Sequence, residues 1–429
     1  MPTISIEALS SLVDTSRRDL RVVVSGNGAV PWTVLRALDS ILPGYRMFML
    51  NAPKGVPDRT GVILETAFVG AGMRRSERLA YYPCRLSQVP LLFGGRLPVD
   101  IVLVHTSAPL NGKVSLGIEV NILPAAIESA RAHGGLVIAQ ANPNMPYTYG
   151  DGEYYLDDFD AIIEVDEPFG GHALQAGTAQ GAAHAAPAPS LPSKGIDRAE
   201  SARIIGQLVS DRIGDGATLQ MGIGEIPDAT LAGLLKKKGL GIWTEMLADG
   251  VLALDDAGAL DPDRTLVSSF VHGTTTLNDW VHCNDRVRIL RTETTNAPAR
   301  ICQNPGMTSI NTALQVDLLD QANASRINAR IHSGFGGQTD FTVGAMHARG
   351  GQAIMALRSW HPKADTSTIV PLLDEPVTSF QHTAVVTENG VAEMAGFDER
   401  TQAAHLIEFA GHPRVREELW EEAVALGLV

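Results

Sequence analysis

The sequence predicts an α/β protein made of two similar domains, each a mostly parallel sheet flanked by helices. Short apolar runs of strand character alternate with helical patterns along most of the chain. One strand–turn–helix pattern occurs twice, and a segment poor in large apolar side chains separates the two copies. The 429 residues are also too many for one typical core.

The second copy of this pattern is the more informative one. Residues 218–223 form a short apolar run, which Gly222 and Gly224 break. Pro227 follows, and leucines then recur at helical spacing, which predicts a helix after the turn. Proline agrees with this prediction, because it is well tolerated in a first helical turn. The three lysines at 236–238 are expected in the last turn of this helix, where positive charge suits the helix dipole.

A glutamate stands directly after the next predicted strand. Residues 240–244 form that strand, and Glu245 follows at its carboxyl end. Ligands of open α/β sheets bind outside the carboxyl ends of the strands. We therefore expect Glu245 to share one rim with the Gly222–Gly224 turn.

The first copy begins with the apolar run at residues 20–25. Five positions then match the second copy at a constant offset, and no glutamate occupies the place of Glu245. The shared context favours a duplicated α/β domain. The matching positions are Gly26, Gly28, Pro31, Leu35 and Leu38 in the first copy, and Gly222, Gly224, Pro227, Leu231 and Leu234 in the second.

The segment at residues 170–195 predicts a domain boundary. It consists of alanine, glycine, proline and small polar residues, with almost no large apolar side chain. Such a composition cannot bury enough surface to order itself and is typical of a linker. We predict an N-terminal α/β domain at 1–169, this linker, and a C-terminal α/β domain at 196–429 that carries Glu245.

Composition narrows the functional classes. The net charge of -14 argues against nucleic acid as a partner, since phosphate binding needs a basic surface. Three cysteines make no disulfide framework, which favours a reducing compartment, and no ligand cluster has metal-binding spacing. No apolar run reaches about 18 residues, and the N-terminus lacks a signal pattern. We expect a cytoplasmic protein without a metal or a membrane partner.

The glycine turn has competing interpretations. A dinucleotide fingerprint places an acidic residue about 20 positions after its glycines, and Glu245 fits that spacing. Pro227, however, occupies the place of the third glycine, where close helix–strand packing excludes a side chain. A tight structural turn without a ligand is the simplest alternative. The nucleophile elbow of serine hydrolases and the Walker A pattern are both absent from the sequence.

A second glycine-rich loop lies at residues 332–341, HSGFGGQTDF. Glycines let backbone N–H groups approach a ligand, so the loop could form an oxyanion hole, or it could be a hinge without a ligand. The candidate binding residues in this loop are Ser333, Gly334, Phe335, Gly336 and Gly337.

The position of Glu245 is unusual for a glutamate. Most glutamates are solvated surface residues, whereas Glu245 follows a strand in an otherwise apolar region. A carboxylate in such a site can attack an activated acyl group and form a mixed anhydride.

Several motifs together resemble the acetyl-CoA hydrolase/transferase family, most closely 4-hydroxybutyrate and related acyl-CoA:acetate CoA-transferases. The order of the motifs is that of the family, and the resemblance extends over nearly the whole chain. The matching segments are LQMGIGEIPDA, LGIWTEMLADGVLAL, SINTALQVDLLDQ, SGFGGQTDF, VVTENGVAEMAG and GHPRVREEL, with looser matches at SAPLNGKVSLG and ANPNMPYTYGD.

The resemblance implies the two-domain fold of CoA-transferases and assigns roles to individual residues. Glu245 matches the family's catalytic glutamate. Gly224 and Gly337 match positions whose amides hold the thioester oxygen or CoA, in segments that include Gly222, Ile223 and residues 333–337. Lys363 matches a basic residue near the CoA phosphates.

The implied activity is transfer of CoA from an acyl-CoA to a carboxylate acceptor, acetate or another short acid. It implies a ping-pong mechanism through a glutamyl-CoA thioester, with CoA as substrate and no tightly bound cofactor. We also expect a homo-oligomer, a dimer. Hydrolysis of an acyl-CoA such as acetyl-CoA is one alternative, and a non-catalytic CoA- or nucleotide-binding protein is another.

Three residues depart from the family pattern. Trp243 stands where histidine or tyrosine is usual, Gln140 replaces a usual glutamate, and Asn389 replaces a usual tyrosine or glutamine. These departures leave open the acyl substrate and the choice between transfer and hydrolysis.

Overall fold

The computed structural model describes residues 3–168, 197–377 and 381–429. These ranges contain two main sheets flanked by helices, which confirms the predicted fold class. The α-helices are Leu9–Leu12, Trp32–Ile41, Val89–Phe93, Leu123–Ala132, Arg198–Asp211, Glu225–Leu234, Gly250–Asp256, Thr275–Val281, Thr292–Thr295, Pro298–Ile301, Gln338–His347, Glu399–His405 and Arg416–Ala425, and a π-helical turn covers Leu406–Ala410.

The N-terminal sheet has seven strands, and every neighbouring pair is parallel. All seven residues of the interior strand Ile101–Ser107 are buried, as expected for a parallel sheet covered on both faces. Across the sheet, the strands are Leu79–Tyr81, Val62–Thr66, Tyr45–Phe48, Arg21–Val24, Ile101–Ser107, Leu136–Asn142 and Ala161–Glu164.

The C-terminal sheet has six strands, and only its last pair is antiparallel. Across this sheet, the strands are Gly241–Ile242, Thr218–Met221, Thr308–Asn311, Gln352–Ala356, Ala384–Thr387 and Gly390–Glu393.

Six smaller sheets complete the strand inventory. They pair Lys113–Ser115 with Glu153–Tyr155, Met246–Leu247 with Phe270–Val271, Leu266–Ser268 with Val287–Ile289, Gln315–Asp317 with both Ala322–Asn323 and Ile369–Val370, Arg326–Ile327 with Arg330–Ile331, and Trp360–His361 with Thr366–Ser367.

The repeated pattern occupies the same place in both sheets. Arg21–Val24 lies between the following strand of the chain and a later one, and Thr218–Met221 does the same in its sheet. A glycine turn and a helix follow each of these strands. The helix of the second copy begins at Glu225, before Pro227, whereas that of the first copy begins at Trp32, after its proline.

The predicted position of the three lysines was wrong. The helix ends at Leu234, so residues 236–238 lie beyond it. The Lys238 backbone N–H donates to the Asp215 carboxylate at 2.9 Å, and the Lys238 carbonyl accepts from the Gly216 N–H at 2.9 Å. These tertiary contacts hold the segment against a neighbouring turn, and helical continuation would break them.

A segment of the first half lies directly beside the chain that follows Glu245. Glu119 forms an isolated antiparallel bridge with Phe270. The Val271 N–H donates to the Ile118 carbonyl at 2.8 Å, next to this bridge. The two halves of the chain therefore meet close to Glu245.

The predicted linker, residues 170–195, lies outside the described residues. The division of the chain into 1–169 and 196–429 stays a prediction. In the described ranges, no helix is both long enough and apolar enough to cross a membrane.

Candidate active site

The backbone of Glu245 is fixed by its neighbours. Glu245 follows the edge strand Gly241–Ile242 of the C-terminal sheet. Its carbonyl accepts from the Ser269 N–H at 2.9 Å, the Phe270 N–H at 3.1 Å and the Ser268 hydroxyl at 3.0 Å. These hydrogen bonds anchor the backbone of Glu245, and the residue remains partly accessible.

Asn296 holds the Glu245 carboxyl group. Its Nδ2 donates to Glu245 Oε2 at 2.7 Å, and the asparagine is fully buried. The Thr295 hydroxyl donates to Asn296 Oδ1 at 2.8 Å, which fixes the amide with its NH₂ group toward Glu245. Trp243, one of the departures from the family pattern, supports the same turn, because its Nε1 donates to the Thr295 carbonyl at 2.9 Å.

The environment of Glu245 raises the pKa of its carboxyl group to about 7. Burial is the largest cause, because it disfavours the charged form. The hydrogen bond from Asn296 acts in the opposite direction, and the negative charges of Asp340 and Glu119 raise the pKa further. Near neutral pH, Glu245 therefore exists in both ionisation states.

The second glycine-rich loop touches Glu245. A Cβ atom added to Gly337 would overlap Glu245 Oε2 and Asn296 Nδ2, so glycine is required for this approach. A Cβ atom added to Gly334 would meet the Ala67 carbonyl in the same way.

The rest of this loop is tied to the first half of the chain. The Ser333 carbonyl accepts from the Val69 N–H at 2.8 Å, and the Gly336 carbonyl accepts from the Leu86 N–H at 2.8 Å. Phe335, between them, is partly buried. Contacts with the first half thus hold the loop at the carboxylate.

Asp340 is a second acidic group of this site. It lies in the first turn of the helix Gln338–His347 and is fully buried. It accepts from the Ser87 hydroxyl at 2.8 Å and the Ser87 N–H at 3.2 Å, and Arg85 lies 3.7 Å away. Burial raises the pKa of Asp340 to about 6.

The Gly222–Gly224 turn borders a cavity of about 330 Å³. Thr244 joins the turn to the segment around Glu245, because its hydroxyl contacts the Met221 carbonyl at 3.5 Å and the Met246 carbonyl at 3.0 Å. The cavity is mostly apolar, and its polar groups are Asp228, Thr244, Asp249, His272 and Thr274. Its wall includes Gly222, Ile223, Gly224, Leu231, Met246, Leu247, Gly250 and Val251.

Two arginines lie near the same turn. Arg198 Nε donates to the Glu225 carboxylate at 2.6 Å, at the start of the helix that follows the turn. Arg358 lies near Arg198, Glu225 and Glu388, and burial together with the positive charge of Arg198 lowers its pKa. The sequence patterns did not indicate either arginine.

Lys363, Gln140 and Asn389 are the remaining residues that the sequence singled out. Lys363 is exposed in the hairpin that joins Trp360–His361 to Thr366–Ser367. Gln140 is fully buried, and its Oε1 accepts from the Val34 N–H at 3.1 Å. Asn389 Nδ2 donates to the Gly411 carbonyl at 3.3 Å.

Sequence reasoning missed Asn296, Asp340 and Glu119. Asn296 and Glu119 have no local pattern that separates them from other polar residues, because their importance comes from contacts between distant segments. Asp340 had a weak signal, since it lies in the second glycine-rich loop, three residues after Gly337. In the described part of the chain, no group of three or more His, Cys, Asp or Glu side chains could hold a metal ion.

Comparison with known proteins identifies the family. The family model for the acetyl-CoA hydrolase/transferase C-terminal domain matches residues 273–423. A 4-hydroxybutyrate coenzyme A transferase of Clostridium kluyveri is 40% identical over 370 residues, which cover 83% of this chain and 80% of the relative. A succinyl-CoA:acetate/propanoyl-CoA:succinate CoA transferase of Fasciola hepatica is 34% identical, covering 94% of this chain and 84% of the relative.

A solved structure agrees with this result. The 4-hydroxybutyrate CoA-transferase of Porphyromonas gingivalis superposes with a TM-score of 0.78 at 30% identity, covering 99% of this chain and 98% of that chain. The long matches include both halves of the chain, and they agree with the fold and the motif order. The chain belongs to the acetyl-CoA hydrolase/transferase family of enzymes.

Proposed function

We propose that this protein transfers CoA from an acyl-CoA to a small carboxylate, acetate or another short acid, with Glu245 as the nucleophile. The observation that carries the proposal is the Glu245 carboxyl group. It is held by Asn296 at 2.7 Å, lies against Gly337, and has a pKa raised to about 7. The relatives named as CoA-transferases support the same reaction class.

The proposed reaction begins with attack on the thioester. One Glu245 oxygen bonds to the acyl carbonyl carbon, the carbon–sulfur bond breaks, and CoA leaves as a thiolate. The product is a mixed anhydride. The thiolate then attacks the glutamyl carbonyl carbon, so the first acid leaves as a carboxylate and Glu245 carries CoA as a thioester.

The second half reverses these steps with another acid. The acceptor carboxylate attacks the glutamyl thioester, which releases the thiolate and forms a new anhydride. The thiolate attacks the acceptor's carbonyl carbon, and the new acyl-CoA leaves with Glu245 restored as a carboxylate. The enzyme thioester retains the energy of the substrate thioester, so the cycle requires neither a metal nor a redox cofactor.

The environment of Glu245 suits this chemistry. A partly desolvated carboxylate is a stronger nucleophile than a solvated one, and Asn296 fixes one of its oxygens. We further propose that the backbone N–H groups of Gly224 and Gly337 stabilise the negative charge on the reacting carbonyl oxygen. In other enzymes, one such donor contributes about 3–4 kcal/mol.

The Gly222–Gly224 turn is the proposed CoA site. Gly222, Ile223 and Gly224 border the cavity of about 330 Å³, and a helix of ten residues begins at the next position. A helix N-terminus and nearby arginines favour anionic groups. We assign the CoA phosphates to the surface around Arg198 and Arg358, with Lys363 as a further cation.

Hydrolysis is the second candidate, because the family model that matches residues 273–423 is named for hydrolases as well as transferases. Water would attack the same anhydride in place of the thiolate or the acceptor. The exclusion of water from the site decides between the two outcomes.

A trapping experiment tests the proposal. The protein is incubated with acyl-CoA alone and treated with borohydride, which reduces a glutamyl thioester to an alcohol. We expect a mass change confined to the peptide that contains Glu245. Absence of that change, with acyl-CoA bound, would contradict the mechanism and favour a CoA-binding protein.

A second assay separates transfer from hydrolysis. Labelled acetate is offered with a panel of acyl-CoAs, and free CoA is measured in parallel. Label in acetyl-CoA without net CoA release indicates transfer, and CoA release without label indicates hydrolysis. Light scattering of the same preparation tests the expected dimer.

A further inference from the structure

Glu119 is a buried acidic residue that the proposed mechanism does not yet use. It is 1% exposed and lies in the first half of the chain. Asn27 Nδ2 donates to both of its carboxyl oxygens at 2.9 Å, and Asn121 Nδ2 donates to Oε1 at 2.7 Å. These donors are all neutral amides.

Another buried glutamate of the same half has a different environment. Glu65 is fully buried, and Arg21 and Arg46 form ion pairs with it at 2.7 Å and 3.2 Å. A buried carboxylate normally requires such a cation. Among the described ion pairs, none includes Glu119. Burying a carboxyl group without a cation is costly for stability, so the burial of Glu119 suggests a functional reason.

The backbone places Glu119 next to the reaction centre. Glu119 bridges to Phe270, and the Phe270 N–H donates to the Glu245 carbonyl at 3.1 Å. The next residues extend the contact, because the Asn121 N–H donates to the Ser269 carbonyl at 3.1 Å. The two glutamates are thus connected through one shared segment.

The orientation of Asn27 is also fixed. Asn51 Nδ2 donates to Asn27 Oδ1 at 2.8 Å, so the NH₂ group of Asn27 faces Glu119. Asn27 has a φ of +47° and lies between the two glycines of the first repeated turn. The first turn therefore holds an acidic group at the place where the two halves meet.

We propose that Glu119 is a positioning residue for Glu245: the first half of the chain holds a buried carboxyl group on the segment that pairs with the residues anchoring the Glu245 backbone, and its negative charge controls how much Glu245 is ionised and ready to attack. This inference depends on the proposed function. Glu119 itself forms no bond to substrate.

The electrostatics agree with the geometry. Burial raises the pKa of Glu119 to about 7, close to that of Glu245, and the negative charge of Glu119 raises the pKa of Glu245. Among the described residues, Asp340 is the other acidic group acting on Glu245, and His105, on the strand beside the first turn, is neutral near pH 7 because burial lowers its pKa to about 4. Two such coupled carboxyl groups lose their protons in two macroscopic steps.

The test is the pH dependence of adduct formation at Glu245 in a single turnover, read from the mass of the borohydride-treated peptide. In the wild-type protein, the rate should rise with pH in two steps around pH 7. In Glu119→Gln, the rise should become one step at lower pH. The shift should be about one pH unit, the scale expected for a neighbouring charge, and the ratio of rates at pH 6 and pH 8 should rise roughly two- to fivefold.

Two further variants control this result. Asn27→Gly keeps Glu119 but removes two hydrogen bonds that favour its charged form, so Glu119 stays protonated and the same single early step is expected. Glycine readily adopts the φ of +47° at this position, so this variant decides the question if Glu119→Gln does not fold. Glu128→Gln removes an exposed carboxylate that pairs with Arg291 between the same two halves, and its profile should match the wild type.

The possible outcomes are distinct. A wild-type protein that forms no adduct at any pH contradicts the proposed function itself. An adduct whose pH profile is unchanged in Glu119→Gln and Asn27→Gly, with only a uniform loss of rate, shows a merely structural role and overturns the inference about Glu119.

Discussion

The two repeated turns have the same place in their sheets but different surroundings. In the first turn, a Cβ atom on Gly26 would overlap the Leu50 carbonyl, and one on Gly28 would lie 3.3 Å from Ile118. In the second turn, a Cβ atom on Gly222 or Gly224 would meet nothing within 4 Å. The first turn is packed by protein, whereas the second borders an open cavity.

The difference shows how one local structure can have two uses. Glycine in the first turn permits close backbone packing, and the turn holds the buried Glu119 through Asn27. Glycine in the second turn leaves space, and the partly accessible Glu245 comes after the following strand, Gly241–Ile242. We infer that duplication supplied two rims, of which one closed around an acidic group and the other remained open to a ligand.

The largest expected effect concerns the nucleophile. Glu245→Ala should reduce transfer by at least about a thousandfold, because the covalent route is lost. Glu245→Asp should reduce it by roughly a hundredfold, since a misplacement of about 1 Å can have that effect. Steady-state transfer and adduct mass measure both changes.

Glu225→Ala is the matched control for this prediction. Glu225 lies beside the second turn, but its carboxylate pairs with Arg198 at the surface. It should retain most of the activity and form the adduct at Glu245. If Glu225→Ala is inactive while Glu245→Ala remains active, the nucleophile has been assigned to the wrong residue.

The next effect concerns the loop against Glu245. A methyl group at position 337 would displace the Glu245 carboxylate or Asn296, so Gly337→Ala should lower the rate of adduct formation by roughly a hundredfold. Far-ultraviolet circular dichroism should remain close to that of the wild type. Gly94→Ala adds the same methyl group where nothing lies within 4 Å, and it should be fully active. Equal activity of the two variants would refute the proposed contact.

Local patterns predicted the scaffold better than the site. The strand Arg21–Val24 lies within the apolar run at residues 20–25 that predicted it. The strand–turn–helix units were also readable, since glycine, proline and apolar periodicity act over a few residues.

The interactions around Glu245 could not be read in this way. Asn296 and Glu119 reach the site from segments far along the chain, and their sequences resemble ordinary polar loops. The lysines at 236–238 were misplaced for the same reason, because contacts with Asp215 and Gly216 outweighed helix propensity. Sequence patterns report local preference, whereas a catalytic group's surroundings depend on the packing of distant segments.

Alanine at equivalent glycines of the two turns should separate packing from ligand binding. Gly26→Ala should lower the free energy of unfolding by about 1–3 kcal/mol, because the new methyl group is forced against backbone. Gly222→Ala should leave that free energy within about 0.5 kcal/mol of the wild type. It should instead weaken acyl-CoA binding, because the methyl group enters the cavity. Urea unfolding and calorimetric titration measure these changes, and the reverse pattern would contradict the comparison of the two turns.

The last expected effect is the pH dependence of stability that Glu119 causes. The pKa of this group rises from an ordinary 4.5 to about 7 on folding, so the folded state keeps a proton that the unfolded chain loses between those values. Stability must therefore fall as pH rises through this range, by at most about 3 kcal/mol for this group.

Glu119→Gln lacks this contribution, and its free energy of unfolding relative to the wild type should rise between pH 4.5 and pH 8. Glu128 has the opposite sign, because hydrogen bonding to Arg291 lowers its pKa, and Glu128→Gln should lose stability relative to the wild type as pH rises from acid values. Urea unfolding of the three proteins across this range compares the two signs directly. Parallel curves for the wild type and Glu119→Gln would mean that Glu119 ionises as readily in the folded state as in the unfolded chain, and the first turn would then hold an ordinary carboxylate.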